Sequence, residues 1–426
     1  MNLKSRAKTV AVTAVVVLSA VLIALNLTAG EKKVTRQIDH RYSIDDAQFE
    51  RTLGVMLGPV IVSGNRIETL RNGDEIFPPM LAAIAAAKHT ISFETYIYWS
   101  GDIGKAFADA LAERARAGVA VHVLLDWVGT SKMEKTYLDE MERAGVQIRK
   151  FHEPHWYTLA KLNDRTHRKL LIVDGVVGFT GGVGIATEWT GHAQDPTHWR
   201  DTHFKVEGPV VAQMQAVFAD NWTKTTGTVL HDARYFPPIA RAGDSSGQMF
   251  ASSPSGGSES MQLMYLLIVD AATRTLDLSA AYFVPDELSR DAIVDARKRG
   301  VRVRIIVPGP HTDSETVRRA SRADWGQLLE AGVEMYEYQP TMYHVKVLIA
   351  DERFATVGST NFDDRSFRLN DEASLNIFDA EFARRQTGIF EDDLRNSRRV
   401  TLDEWRSRPW HEKLWERAAS LIGGQL

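Results

Sequence analysis

Residues 166–174 read THRKLLIVD, and 177 positions further on residues 343–351 read YHVKVLIAD, with histidine, lysine and aspartate at the same separations. Each stretch is apolar after its lysine and ends in a turn signal, which predicts a buried strand running into a hairpin. Side chains two apart on a strand face the same way, so His167 falls beside Lys169 and His344 beside Lys346. Asp174 and Asp351 have the opposite parity and sit near a turn, and are expected to hold the architecture. One such pattern arises by chance in roughly a few per cent of chains this long. Two copies, each with a glycine after six further residues (Gly181 and Gly358), mark a repeat.

The surroundings of the two stretches repeat as well. ISFETYIYW (91–99) predicts a strand, and Ile103, Phe107 and Leu111 predict a helix that stops at Gly118. A buried-type strand over 119–125, a helix in KTYLDEMERAG, a short strand in QIRKF and then the first quoted stretch follow. The second half runs through LDLSAAYFVPD, ELSRDAIVDARKRG, VRVRIIVP, DWGQLLEAG, VEMYEY and YHVKVLIAD in the same order. This predicts the α/β class, with one α/β lobe over 45–242 and its duplicate over 261–426. Residues 243–260, GDSSGQMFASSPSGGSES, are rich in serine and glycine and predict a linker.

Composition narrows the function. A length of 426 residues fits two lobes, and the absence of cysteine excludes disulfides, thiolate metal sites and cysteine nucleophiles. A net charge of −4 supplies no global basic field, so nucleic acid is not an expected partner. Residues 10–27 are uncharged and long enough to cross a bilayer at about 1.5 Å per residue, which predicts an N-terminal transmembrane helix anchoring the chain through residues 1–30. Lys4, Arg6 and Lys8 before the run nearly balance Lys32, Lys33 and Arg36 after it, and place the remainder outside the cytoplasm only by a small margin.

The duplicated His-x-Lys-x4-Asp-x6-Gly pattern resembles that of the phospholipase D superfamily. FETYIYWSGDIG, HRKLLIVDG, FTGG, WRDTH with EGPVV, AYFVPD and GSTNFDDRSFRLNDE resemble its cardiolipin synthase-like branch, and the resemblance runs from about Asp45 to the C-terminus. It implies two α/β/α lobes about a pseudo-twofold axis, with one histidine from each meeting in a shared cleft. It implies phosphatidyl transfer through a phosphohistidine, phospholipid substrates such as phosphatidylglycerol, a bacterial cell membrane location, and neither metal nor organic cofactor. The catalytic set carried over is His167, Lys169, Asp174, His344, Lys346 and Asp351, with His167 as nucleophile and His344 as general acid and then base. The residues themselves leave that choice between the histidines open. Ser359 and Asn361 match the family's phosphate-contacting pair, where the first lobe has Gly182 and Gly184. Glu372 and Asp201 match the acids that orient His167 and His344 from across the lobe interface.

The chemistry agrees with the residue types. A phosphodiester needs cations around phosphorus, a nucleophile on one side and a proton donor on the other, and two His-x-Lys strands supply all three. Hydrolysis by the same residues, nuclease action and a catalytically silent membrane scaffold remain as alternatives. His152, His155, His192, His198 and His203 match no strong metal-ligand spacing. Tyr96 and Tyr282 occupy matching strands and are expected either to border the cleft or to fill the core, while Trp405, Trp410 and Trp415 are expected to pack on a lobe, with contact at a bilayer interface as the alternative.

Overall fold

The computed structural model describes residues 3–28, 34–153, 163–254, 261–421 and 423. Fifteen strands follow one another across a single sheet: Ser397–Val400, Glu334–Tyr338, Arg302–Pro308, Thr275–Ala280, Lys346–Ala350, Phe354–Gly358, Asn370–Phe378, Ser245–Ser252, Val62–Arg71, Thr202–Glu207, Val177–Gly181, Leu170–Val173, Thr90–Thr95, Ala120–Asp126 and Gln147–Phe151. Apart from the edge strand Ser397–Val400, this order reads the same from either side of the seam between Ser245–Ser252 and Val62–Arg71. A two-fold axis through the seam would produce such an order. Each half starts at the seam, runs outward through antiparallel strands and ends in three parallel ones. The parallel strands, such as AVHVLLD and RVRIIVP, are buried on both faces because helices cover both sides.

The outer cores belong to one half each. Helices Asn72–Ala86, Asp102–Arg116 and Lys135–Arg143 close the first around Phe77, Phe107 and Met141, while Met261–Ala271 and Glu287–Lys298 close the second around Ile268 and Ile293. The other face of the sheet is a single core drawn from both halves. There Phe218 and Trp222 of helix Val211–Thr226 join Phe382 and Phe390 of helix Ala380–Arg395. Burial of this apolar face, at about 25 cal/mol per Å² removed from water, is what fixes the two lobes to each other.

Three expectations change. Residues 243–260 are not simply a linker, because Ser245–Ser252 is a strand at the centre of the sheet with Met249 and Phe250 fully buried. Its serines masked a buried strand in which Ser245 donates to Asp379 and Gln248 accepts from Asn376; residues 255–260 lie outside the described residues. Residue 45 does not open the first lobe. Helix Ala47–Met56 docks on the second, where the Phe49 ring lies 5.7 Å from Phe354 and 5.9 Å from Phe378. Of the three C-terminal tryptophans only Trp405 packs, its Nε1 donating to the Arg322 carbonyl at 2.7 Å, whereas Trp410 and Trp415 are 76% and 61% exposed.

At the N-terminus, Leu3–Thr28 is one helix, and Val10, Val16 and Leu18 on it are exposed. Among the described residues no helix is long and apolar enough to cross a membrane, so the transmembrane span expected from the sequence is not supplied by the structure itself.

Candidate active site

Each histidine lies just ahead of its strand, on a segment that leaves its own lobe. Arg165–Thr166 pairs in parallel with Asn370 and Asp371 of the second lobe, and the His167 amide donates to the Asp371 carbonyl at 2.9 Å. Tyr343 bridges to Arg200 of the first lobe, and the His344 amide donates to the Arg200 carbonyl at 2.8 Å. The exchange carries each imidazole to the residue that follows, so His167 meets Glu372 and His344 meets Asp201.

The His167 Nδ1 lies 2.9 and 3.1 Å from the two Glu372 carboxylate oxygens, and the His344 Nδ1 lies 2.7 Å from Asp201 Oδ2. A proton held on Nδ1 by a carboxylate leaves the Nε2 lone pair for chemistry. Both imidazoles line one cavity of about 450 Å³. Burial pushes both down to about 4, against the opposing pull of Glu372 and Asp201, so each is neutral at pH 7. Burial would push the two carboxyl groups up, but the adjacent histidine and lysine outweigh it and hold both below the usual carboxylate range.

The lysines are pinned to their own histidines. Lys169 Nζ donates to the His167 carbonyl at 2.7 Å and Lys346 Nζ to the His344 carbonyl at 2.8 Å. Lys346 Nζ also lies 3.1 Å from both ring nitrogens of His344. Burial lowers both ammonium groups, Lys346 to about 8. The aromatic walls differ: Tyr96 meets His167 edge-on at 5.3 Å, while Trp189 and Trp199 lie 5.2 and 5.5 Å from His344. Tyr96 and Tyr282 both border the cavity.

The remaining expected residues divide. Asn361 lines the cavity and is 5% exposed, its Oδ1 without a hydrogen-bond partner among the described residues. Ser359 does not line it. Its hydroxyl donates to Glu372 at 2.5 Å and accepts from the Ala373 amide, which makes it a support for the carboxylate rather than a phosphate contact. At the matching Gly182 an added Cβ would come within 2.3 Å of Asp201 Oδ1, so the shorter acid of the first lobe occupies the space that Ser359 takes in the second. Asp174 and Asp351 face away from the cavity. Asp174 accepts from the amides of Lys88, His89 and Thr90, Asp351 from those of Thr273, Arg274 and Thr275, and both adopt positive φ, 53° and 55°.

The histidines considered for metal binding have separate surroundings. His192 meets Asp74, His198 meets Asp195 and His203 is buried beneath Gly181; His155 lies outside the described residues. The cavity also holds Lys132, Arg165, Glu188, Asp313, Asp363, Arg365 and Asn370, none of which the sequence analysis singled out. Arg165 and Asn370 had a visible signal, since each stands two residues before a paired site residue and so on the same face. Lys132 and Asp313 lie in loops and had none.

Residues 80–222 and 266–394 match the family model described as cardiolipin synthase, PLD-like domain. The chain is similar to cardiolipin synthase 2 of Bacillus anthracis, 34% identical over 361 residues that cover 84% of this chain and 70% of that protein. It is similar also to a probable cardiolipin synthase of Bacillus subtilis, 35% identical over 364 residues, 85% of this chain and 72% of that one. Among solved structures, its fold is similar to the crystal structure of a phosphatidylserine synthase from Haemophilus influenzae, with a TM-score of 0.69 at 14% identity, covering 90% of this chain and 100% of that one.

Proposed function

The chain belongs to the cardiolipin synthase family of phospholipase D-like enzymes, and we propose that it is a phosphatidyltransferase that joins two phosphatidylglycerol molecules into cardiolipin and releases glycerol. The observation that carries this reading is the pair of imidazoles in one cavity, each held by a carboxylate from the opposite lobe. His167 Nε2 attacks phosphorus, the bond from phosphorus to the glycerol oxygen breaks, and His344 delivers a proton to that oxygen. The terminal hydroxyl of a second phosphatidylglycerol then attacks the phosphohistidine while His344 takes its proton, and His167 is released. One proton shuttles through His344, and the incoming phosphodiester anion favours its protonated form. Lys169 and Lys346 stabilise the charge on the phosphoryl oxygens. The family resemblance assigns the attack to His167, and burial pushes both imidazoles alike to about 4.

Purified enzyme on phosphatidylglycerol vesicles is expected to release glycerol and cardiolipin in equal amounts. Phosphatidic acid as the dominant product would instead make it a hydrolase. Mass spectrometry of rapidly quenched wild-type enzyme should find a phosphatidyl adduct on His167, and an adduct on His344 instead would reverse the roles.

The helix Leu3–Thr28 is assigned here to membrane attachment, supported by its exposed valines, which no other part of the described protein covers. Removing residues 1–30 should weaken co-sedimentation with vesicles and raise phosphatidic acid relative to cardiolipin, because the anchor keeps the cleft among lipid alcohols. Unchanged sedimentation would remove the anchor.

A further inference from the structure

Helix Trp410–Ser420, near the C-terminus, turns one side to the protein and a different kind of side to the solvent. Its buried residues are Glu416 and Ala419. Ala419 packs with Val317 and Ala320 of helix Glu315–Ala323 and with Val284. Glu416 accepts from Arg322 at 3.2 Å and from Arg408 at 2.7 and 3.0 Å. Two guanidinium groups on one buried carboxylate fix the rotation of the helix about its axis. Glu412 stands one turn before Glu416, on the same side.

With that side held down, positions 410, 414, 417 and 421 form the opposite ridge. They are Trp, Leu, Arg and Leu. Trp410, Leu414 and Leu421 are 76%, 59% and 87% exposed, and Trp415 beside them is 61% exposed. Single apolar residues on a surface are ordinary, but four large ones along one short helix make a patch, and polar residues there would cost the core nothing. Lys413 and Arg417, both exposed, run along one margin of the patch, and His411 stands on the other.

The patch lies next to the site. Helix Glu315–Ala323, on which it rests, begins two residues after Asp313. Asp313 accepts from the Tyr282 hydroxyl at 2.5 Å, and both residues line the cavity that holds the two histidines. Tyr282 also packs against the cluster that contains Ala419, so this helix and the cavity share a wall.

We propose that Trp410, Leu414, Trp415 and Leu421 seat this helix in the headgroup layer of a bilayer, with Lys413 and Arg417 against the phosphates of anionic lipid. The proposal rests on the phospholipid reading above and adds to it the surface by which the catalytic lobes themselves meet the lipid, separate from helix Leu3–Thr28. Indole rings and leucine side chains suit the boundary between headgroups and acyl chains, and each cation near an anionic surface adds attraction. A second copy of the chain would bring its own Lys413 and Arg417 to the patch, where like charges repel.

The chain has no cysteine, so Leu414→Cys in the full-length enzyme accepts a single polarity-sensitive fluorophore. Phosphatidylglycerol vesicles should shift its emission to the blue and make it quenchable by brominated lipid, and phosphatidylcholine vesicles should do so less. Emission unmoved by phosphatidylglycerol vesicles overturns the proposal. So does a blue shift that grows with protein concentration before any lipid is added, which would place a second copy on the patch. A second measurement uses Trp410→Ser combined with Leu414→Ser. Cardiolipin formation on phosphatidylglycerol vesicles should fall about tenfold, the size of one large side chain's burial, while turnover of short-chain phosphatidylglycerol dissolved as monomers stays unchanged. An unchanged rate on vesicles, or an equal loss on both substrates, overturns the docking role. Wild-type enzyme that makes no cardiolipin from either form refutes the transferase reading, and the fluorophore still decides the surface.

Discussion

His167 and Glu372 come from different lobes and meet at 2.9 Å, so the imidazole that opens one repeat is oriented by an acid that belongs to the other. The same exchange joins His344 to Asp201 at 2.7 Å. Neither half of the duplication holds a complete site, and the pairing of the lobes is itself a requirement of the chemistry.

Glu372→Gln and Asp201→Asn are each expected to lower kcat roughly a hundredfold or more, because the amide no longer fixes the Nδ1–H tautomer of its histidine. His167→Ala and His344→Ala should abolish turnover, and His167→Ala combined with Glu372→Gln should be no worse than His167→Ala alone. Steady-state cardiolipin assays on the four variants and the pair measure this, and additive losses would separate Glu372 from His167.

The pH profile of kcat/KM should be a broad bell. Activity falls on the acid side as the nucleophile His167 takes up a proton near 4, and on the alkaline side as His344, protonated beside the bound phosphodiester, gives its proton up and Lys346 loses its charge near 8. Stability follows a separate sign. In the unfolded chain the histidines bind protons from about 6.5 downward but in the folded protein only near 4, so the unfolded state holds more protons in that window and melting temperature should drop as pH falls through it. A melting temperature that is flat between pH 6.5 and 4 contradicts the buried neutral imidazoles.

Gly182→Ala should damage the His344 side selectively. The new Cβ would lie 2.3 Å from Asp201 Oδ1, and relieving it costs about 1–3 kcal/mol or displaces the carboxylate. Thermal melts and kcat should both fall. Ser359→Ala, which removes a hydroxyl from Glu372 without adding bulk, should reduce kcat with a smaller effect on melting.

Asp174→Ala removes the acceptor for three backbone amides at a residue with φ 53°, and is expected to destabilise the fold by about 2–4 kcal/mol. Enzyme that remains folded below the lowered melting temperature should keep its kcat. A selective loss of kcat at unchanged stability would place Asp174 in the chemistry instead.

The repeat, the order of strands and helices from residue 91 onward, and the His/Lys pairs are determined by the sequence, because strand parity and apolar periodicity are local properties that survive in any tertiary setting. The roles of Glu372 and Asp201 were legible only through a family resemblance, since nothing local joins residue 372 to residue 167. Tertiary structure decided the rest. Ser245–Ser252 is polar enough to look like a linker and becomes a strand because Val62–Arg71 and Asn370–Phe378 flank it on both sides and satisfy its backbone. Ser359 looked like a phosphate ligand and became a support for Glu372 because strands Phe354–Gly358 and Asn370–Phe378 pair side by side in the second lobe and bring its hydroxyl onto that carboxylate. Arg165 lies far from Arg365 and Asn370 in the chain and reaches the same cavity only where the lobes cross. Local pattern specifies each lobe, and long-range pairing across the seam specifies the site, because side-chain periodicity carries no information about which distant segment will supply a partner.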